Sequence, residues 1–182
     1  MAAAPDWSLL PSDLVHSIAD CFLATNDIDY YMDLRAVCSN WRSATDDPKR
    51  NPDHPRFRPL QWIVLDDYDY RKISTLILVN TGTGRFLRKE LPLLDNYYVI
   101  ATTVGGFFVL ADGYHTPHAA HVLNPFTGHM IHFKAAMPSD LVHAAAVFGS
   151  SPTLVLLCDS EHKQYVADPD SKCFIEYKDE HT

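Results

Sequence analysis

Apolar residues fall into two regimes along this chain, a helical spacing before residue 48 and short clustered runs after residue 60. Leu14, Val15, Ile18, Ala19 and Phe22 recur at i, i+1, i+4, i+5 and i+8, which gathers them on one stripe of a helix. Leu10 and Pro11 lead into it, and proline suits a helix start because its missing N–H would be unpaired there anyway. Ser12 and Asp13 add oxygen acceptors and negative charge at the positive end of the helix dipole. A second helical pattern runs through Leu34, Val37, Cys38 and Trp41, with Asp33 ahead of it as the expected cap. Thr25 to Asp29 is polar and predicts a loop, and Tyr30 to Met32 begin a short helix. Helical character ends at Thr45-Asp46-Asp47-Pro48. Pro48, Pro52, Pro55 and Pro59 then recur at a spacing that no helix or central strand tolerates, so residues 48–60 are expected to form an extended linker.

Beyond residue 60 the runs are strand-like: Trp62-Ile63-Val64-Leu65, Leu76 to Val79, Tyr97 to Ala101, Phe107 to Leu110 and Leu154 to Leu157, punctuated by Gly, Pro, Asn and Asp. One stretch repeats. Leu78-Val79-Asn80-Thr81-Gly82-Thr83-Gly84 matches Val122-Leu123-Asn124-Pro125-Phe126-Thr127-Gly128, and Val166-Ala167-Asp168-Pro169 is a weaker third copy. Asn80, Asn124 and Asp168 are spaced by 44 and 44 residues. In each copy a strand enters a turn headed by Asn or Asp, residues that fold back onto their own backbone. A period of about 40–45 residues is that of four-stranded propeller blades, and about four to eight blades close a ring. Residues 61–182 hold fewer than three at this period, so the expectation is α+β, with an N-terminal helical module over 7–47, a Pro-rich basic linker over 48–60 and an incomplete antiparallel β-propeller-like region over 61–182. Such a chain is expected to be a truncated product or a fragment of a longer protein.

Charge sharpens the boundary. The chain carries a formal charge of −8, which argues against a nucleic-acid partner held by the overall field. Residues 1–47 hold two Arg against eight Asp, a net of −6, whereas Lys49, Arg50, Arg56 and Arg58 face only Asp53 in the linker. Four cysteines (Cys21, Cys38, Cys158, Cys173) show no CxxC pairing and are expected to be reduced thiols. The N-terminus has neither a basic start nor a signal-peptide core, and nowhere do about 18 apolar residues run together, so a cytoplasmic or nuclear protein without a membrane partner is expected.

Candidate chemistry does not assemble. His115, His118, His121, His129 and His132 crowd a span with Asp112, but no zinc-ligand spacing links them, and His129 and His132 would point to opposite faces of a strand. Thr81-Gly82-Thr83-Gly84 and Val104-Gly105-Gly106 lack the phosphate-loop ending and predict hairpin turns. Gly149-Ser150-Ser151-Pro152 lacks the second glycine of a nucleophile elbow, and Glu176 to Glu180 is expected to be a frayed terminus. No catalytic residue, cofactor or metal ligand is expected; a small β-rich hydrolase or metal-dependent enzyme is the disfavoured alternative.

Leu10-Pro11-x-Asp13-Leu14-Val15-x-x-Ile18 followed by Leu34-Arg35-Ala36-Val37-Cys38-x-x-Trp41-Arg42 resembles the F-box family. The likeness extends through Asp29 to Leu34, Ala44 to Pro48, Asn80 to Phe86 and Val122 to Gly128, which together look like plant F-box proteins whose C-terminal half is the β-propeller-like domain of unknown function 295. The resemblance implies a substrate receptor of an SCF-type cullin-RING ubiquitin ligase. Its helical module would dock on an Skp-type adaptor, and through it on a cullin scaffold, through Leu10, Pro11, Leu14, Val15, Ile18, Leu34, Val37, Cys38 and Trp41. The β region would present a protein target, while the chemistry belongs to other subunits. A degenerate chain that binds the adaptor without a target fits the same residues. Two departures from the family stand out: a longer, more acidic connection from Leu23 to Met32, and the short β region.

Overall fold

The computed structural model describes residues 6–52, 54–65, 74–113, 118–149, 152–158 and 163–178. Trp7–Leu9 forms a single 3-10 turn capped by the Asp6 carboxylate. Helix α1 (Ser12–Ala24) starts at Pro11 and carries Asp13 in its first turn. Val15 and Ala19 face inward while Leu14 and Ile18, expected on the same stripe, look outward, because the neighbouring helices cover only one edge of it.

Two local expectations are corrected. The loop expected over Thr25 to Asp29 is a tight corner: Asn26 adopts φ +51°, Asp27 caps α2 (Ile28–Ala36) by accepting from the Tyr30 N–H, and Asp33 lies inside that helix rather than at its start. The second apolar pattern is likewise not one helix. Val37 ends α2, and Cys38, extended at φ −159°, opens α3 (Ser39–Ser43) with its Sγ accepting the Trp41 N–H. Leu34 and Trp41 thus meet by packing two short helices, which mimics the period of a continuous one.

The Pro-rich segment is folded, not extended. It makes turns over 48–50 and a 3-10 turn at Pro55–Phe57, and Phe57 is buried with its ring 5.6 Å from that of Tyr31. Phe57 joins Val15, Ala19, Tyr31, Leu34 and Ala44 in the core of the helical module. A missing N–H at each proline forbids a ladder, but it leaves tight turns open, and burial of one aromatic ring selects them.

Three antiparallel meanders follow among the described residues. Sheet 1 is β1 (Trp62–Leu65), β2 (Thr75–Asn80) and β3 (Phe86–Glu90); sheet 2 is β4 (Tyr97–Thr102), β5 (Phe108–Asp112), β6 (Ala119–Leu123) and β7 (Met130–Ala136); sheet 3 is β8 (Val142–Phe148), β9 (Thr153–Cys158), β10 (Lys163–Ala167) and β11 (Ile175–Lys178). Three successive sheets, the first of three strands and the others of four among the described residues, do not close on themselves. Sheet 2 is the middle layer. On β5, Phe108 and Leu110 pack towards Trp62 and Leu78 of sheet 1, and Val109 packs towards Leu154 and Leu156 of sheet 3, so both faces of the strand are buried. The first strands of sheets 2 and 3 approach each other through a parallel bridge between Thr103 and Ala145.

The sequence repeat is a structural repeat, bond for bond. In the β2–β3 turn, the Asn80 carboxamide oxygen accepts from the N–H groups of Gly82 and Thr83 at 2.9 and 3.0 Å, and Gly84 sits at φ +71°. In the β6–β7 turn, the Asn124 oxygen accepts from Phe126 and Thr127 at 3.1 and 3.2 Å, and Gly128 sits at φ +70°. Each amide NH2 then reaches out of its turn. Asn80 donates to the carbonyl of Thr25 at 3.2 Å, and Asn124 to that of Phe57 at 2.9 Å. Asp168 has no amide to donate, and in the β10–β11 turn it is exposed and accepts from Thr153. Replacing Asn124 with Ala is therefore expected to cost about 2–3 kcal/mol, because the Phe57 carbonyl and two turn N–H groups lose buried partners. Asp168→Ala should cost less than about 1 kcal/mol. Urea unfolding of both variants checks the difference.

Candidate docking face of the helical module

The nine sequence-identified docking residues separate into three groups. Val15 and Leu34 are 0% and 5% exposed and form the module's own core. Leu10 and Trp41 are half-buried against that core, and Cys38 is half-buried at the cap of α3. Pro11, Leu14, Ile18 and Val37 are exposed. Sequence reasoning passed over two neighbours, Trp7 and Leu9, which are 64% and 75% exposed. They precede the helical pattern and so carry no periodic signal. Trp7 is tied to α3 by its carbonyl, which accepts from the Trp41 indole N–H at 3.0 Å, and Asn40 donates to the Ser8 carbonyl at 2.9 Å.

A buried arginine holds the module together. Arg35 is 6% exposed, and its Nη1 donates to the carbonyls of Thr45 and Asp46 at 2.7 and 2.5 Å and to the Thr45 hydroxyl at 2.9 Å. Its Nη2 lies 3.6 Å from the Asp47 carboxylate. The Tyr31 hydroxyl donates to the same Asp46 carbonyl at 2.7 Å, and burial raises its pKa. These bonds satisfy the orphan carbonyls after α3, which is too short to stand alone. The conspicuous Arg35 is thus an internal clamp rather than a contact residue.

The same module is bolted to sheet 1. Arg85 of the β2–β3 turn places Nη2 2.5 Å from Asp29 and Nε 3.4 Å from Asp27, and its guanidinium stacks on Tyr30 at 3.7 Å. Lys89 reaches Asp29 at 2.8 Å. Burial pushes the Asp27 carboxyl upward, against the lowering effect of the Tyr30 N–H and Arg85. Hence the acidic connection from Leu23 to Met32 is neutralised by bases from the β region, while Arg56 pairs with Asp20 and Asp46. The count of acids before residue 48 overstates the charge that the module shows to solvent.

The histidine span holds no site of three or more ligands among the described residues, and His115 lies outside them, as do Ser150, Ser151 and Glu180. His121 and His132, cross-strand neighbours on β6 and β7, meet Nδ1 to Nδ1 at 2.9 Å, and the Tyr97 ring lies edge-on to His121 at 5.1 Å. His118 bonds the Asp112 carbonyl. His129 donates its backbone N–H to Thr127 within the repeated turn. The two turn sequences singled out for their glycines are hairpin turns: Gly84 and Gly106 take positive φ, and a Cβ on Gly106 would overlap the Pro59 carbonyl.

Neither the profiles of known families nor the curated proteins nor the solved structures contain a match to this chain. Among the described residues no helix is long and apolar enough to cross a membrane.

Burial, and then the His132 charge, holds the His121 pKa below the ordinary histidine value. The unfolded chain therefore binds a proton there before the folded chain does. The stability this contributes is complete above the unfolded pKa of about 6.5 and is lost as pH falls through the lower folded value. Chemical denaturation between pH 7.5 and 5 should show stability falling with acid, and His121→Gln should flatten that slope.

Proposed function

We propose that this chain is an F-box-type substrate receptor, docking by its helical module on an Skp-type adaptor of a cullin-RING ubiquitin ligase. The observation that carries the reading is an apolar surface left over once the module has closed its own core. Val15, Leu34, Tyr31 and Phe57 are consumed internally, yet Trp7, Leu9, Leu14, Ile18 and Val37 stay 38–75% exposed on fewer than 50 residues of chain. Small monomeric modules rarely leave so many large apolar side chains bare without a partner groove to receive them. Three of the five (Leu14, Ile18 and Val37) occupy positions that match the F-box pattern, and the adaptor's groove is the partner that this pattern implies.

The β region is proposed as part of a propeller-like target-presenting domain. Three consecutive meanders, a turn repeated at the same place in sheets 1 and 2, and parallel first strands in sheets 2 and 3 support that architecture. The protein target is not specified by any residue pattern on this surface, and ubiquitin transfer would belong to the other subunits.

Leu14→Ala combined with Val37→Ala removes two exposed side chains without touching the core. Titration calorimetry against the adaptor should show binding weakened by at least about 30-fold, the effect of losing about 2 kcal/mol of anchoring. Arg88→Ala, on sheet 1, should leave binding unchanged. Equal binding by the double variant and the parent chain would overturn the docking assignment.

A further inference from the structure

The second repeated hairpin carries a histidine pair that the repeat itself does not require. In the β6–β7 ladder Asn124 donates its N–H to the His129 carbonyl at 2.8 Å. Hydrogen-bonded and non-hydrogen-bonded pairs alternate from there. His121 and His132, three steps along, are therefore a non-hydrogen-bonded pair, the kind that brings two side chains closest. Their Nδ1 atoms are 2.9 Å apart and their rings stand at 80°. The equivalent cross-strand positions are Ile77 and Arg88 in sheet 1 and Tyr165 and Glu176 in sheet 3, so neither the turn nor the fold calls for two histidines here. His121 is buried, with the Tyr97 ring edge-on at 5.1 Å, whereas His132 is exposed. One member of the pair is thus held in place and the other meets solvent. Burial keeps His121 neutral, the form in which imidazole ligates a metal. Asp112, on the same face of β5, adds negative charge that favours a cation there.

We propose that His121 and His132 form a two-histidine chelate for a divalent transition-metal ion of square-planar or tetragonal preference, Cu(II) above all, with water completing its coordination on the exposed side. The distance selects this class of ion. Two nitrogens bound at about 2.0 Å and about 90° apart lie about 2.8 Å from each other, whereas the tetrahedral angle separates them by about 3.3 Å. In the hydrogen-bonded pair one Nδ1 carries the proton between the rings. Shifting that proton to Nε2 of the same ring leaves both rings neutral, with a lone pair on each Nδ1, so the ion displaces no proton from the pair. Among divalent first-row ions Cu(II) also binds such ligands most tightly. The bound ion staples β6 to β7 and, since the unfolded chain does not hold the two rings together, stabilises the folded state. No sequence spacing announces the pair, because its members are 11 residues apart across a turn and only the strand register brings them together.

Electron paramagnetic resonance and thermal melting of the full chain with one equivalent of Cu(II) test this directly. The exposed thiols Cys21 and Cys173 are changed to Ser so that they do not reduce the ion. The expected outcome is a tetragonal spectrum split by two nitrogen ligands, together with a melting temperature raised by the ion. His132→Gln, at an exposed position, should weaken binding at least about ten-fold and abolish both signatures with an unchanged circular dichroism spectrum. His129→Gln, in the same hairpin but outside the pair, should retain them. A chain that shows neither the spectrum nor the shift overturns the proposal. So does binding that survives His132→Gln unchanged, which marks an adventitious ion only, or binding lost in His129→Gln and not in His132→Gln.

Discussion

The arrangement of this protein turns on one asparagine in a left-handed corner. Asn26 ends the α1–α2 connection at φ +51°, a conformation that asparagine tolerates better than most side-chain-bearing residues. Its amide donates to the Arg58 carbonyl at 2.8 Å, its amide oxygen accepts the Gln61 N–H at 3.0 Å, and its backbone carbonyl accepts the Trp62 indole N–H at 2.8 Å. The Asn80 amide completes the set from the first repeated turn, donating to the neighbouring Thr25 carbonyl. One residue therefore joins the helix corner, the Pro-rich segment and sheet 1, and it is only 8% exposed. Removing it would orphan several buried polar groups at once, which is more costly than the loss of any one bond.

Around that corner the junction is made specific by charge. Asp27 and Asp29 are drawn out of water, and Arg85 and Lys89 meet them from the adjoining strand and turn. Such a cluster adds little net stability, because desolvation offsets most of the attraction, but it penalises every other orientation in which a buried carboxylate would stand alone. Tyr30 and Ile28 fill the apolar remainder, the first under the Arg85 guanidinium and the second in the core shared with Trp62 and Leu94. The consequence for function is geometric. The exposed apolar face of the helices and the stack of sheets are held at one angle, so in the proposed receptor a partner on the first would orient anything held by the second.

Sheet 2 owes its burial to its place in the stack. Its central strands β5 and β6 are buried on both faces because a sheet lies on each side, and the same logic reads outward to the terminal layers. Sheet 1 compensates part of its exposed face with Arg88 and Glu90, whereas among the described residues sheet 3 carries on its outer side only Asp168, which accepts from Thr153 at the end of β10. The helical module shows the same economy at a smaller scale, with its polar side chains turned into clamps and its surplus apolar residues turned out.

Much was already legible in the chain. Helical spacing marked α1, clustered β-branched runs marked several of the strands, and the 44-residue spacing of Asn80, Asn124 and Asp168 marked three hairpins, two of them with the same Asn-headed turn, because all of these depend on contacts between near neighbours. What only tertiary structure decided depends on partners distant in sequence. Val15 and Leu34 proved to be core and Leu14 and Val37 surface, although all four fit one motif, since a spacing defines a stripe but not which edge of it the next helix covers. The proline segment looked extended until Phe57 found Tyr31. The acids of the α1–α2 corner looked like a solvated run until Arg85, more than 50 residues away, closed on them. Asn80 and Asn124 announced their turns through their oxygens, a local bond; that their amide nitrogens would anchor those turns to Thr25 and Phe57 required the whole chain to be folded.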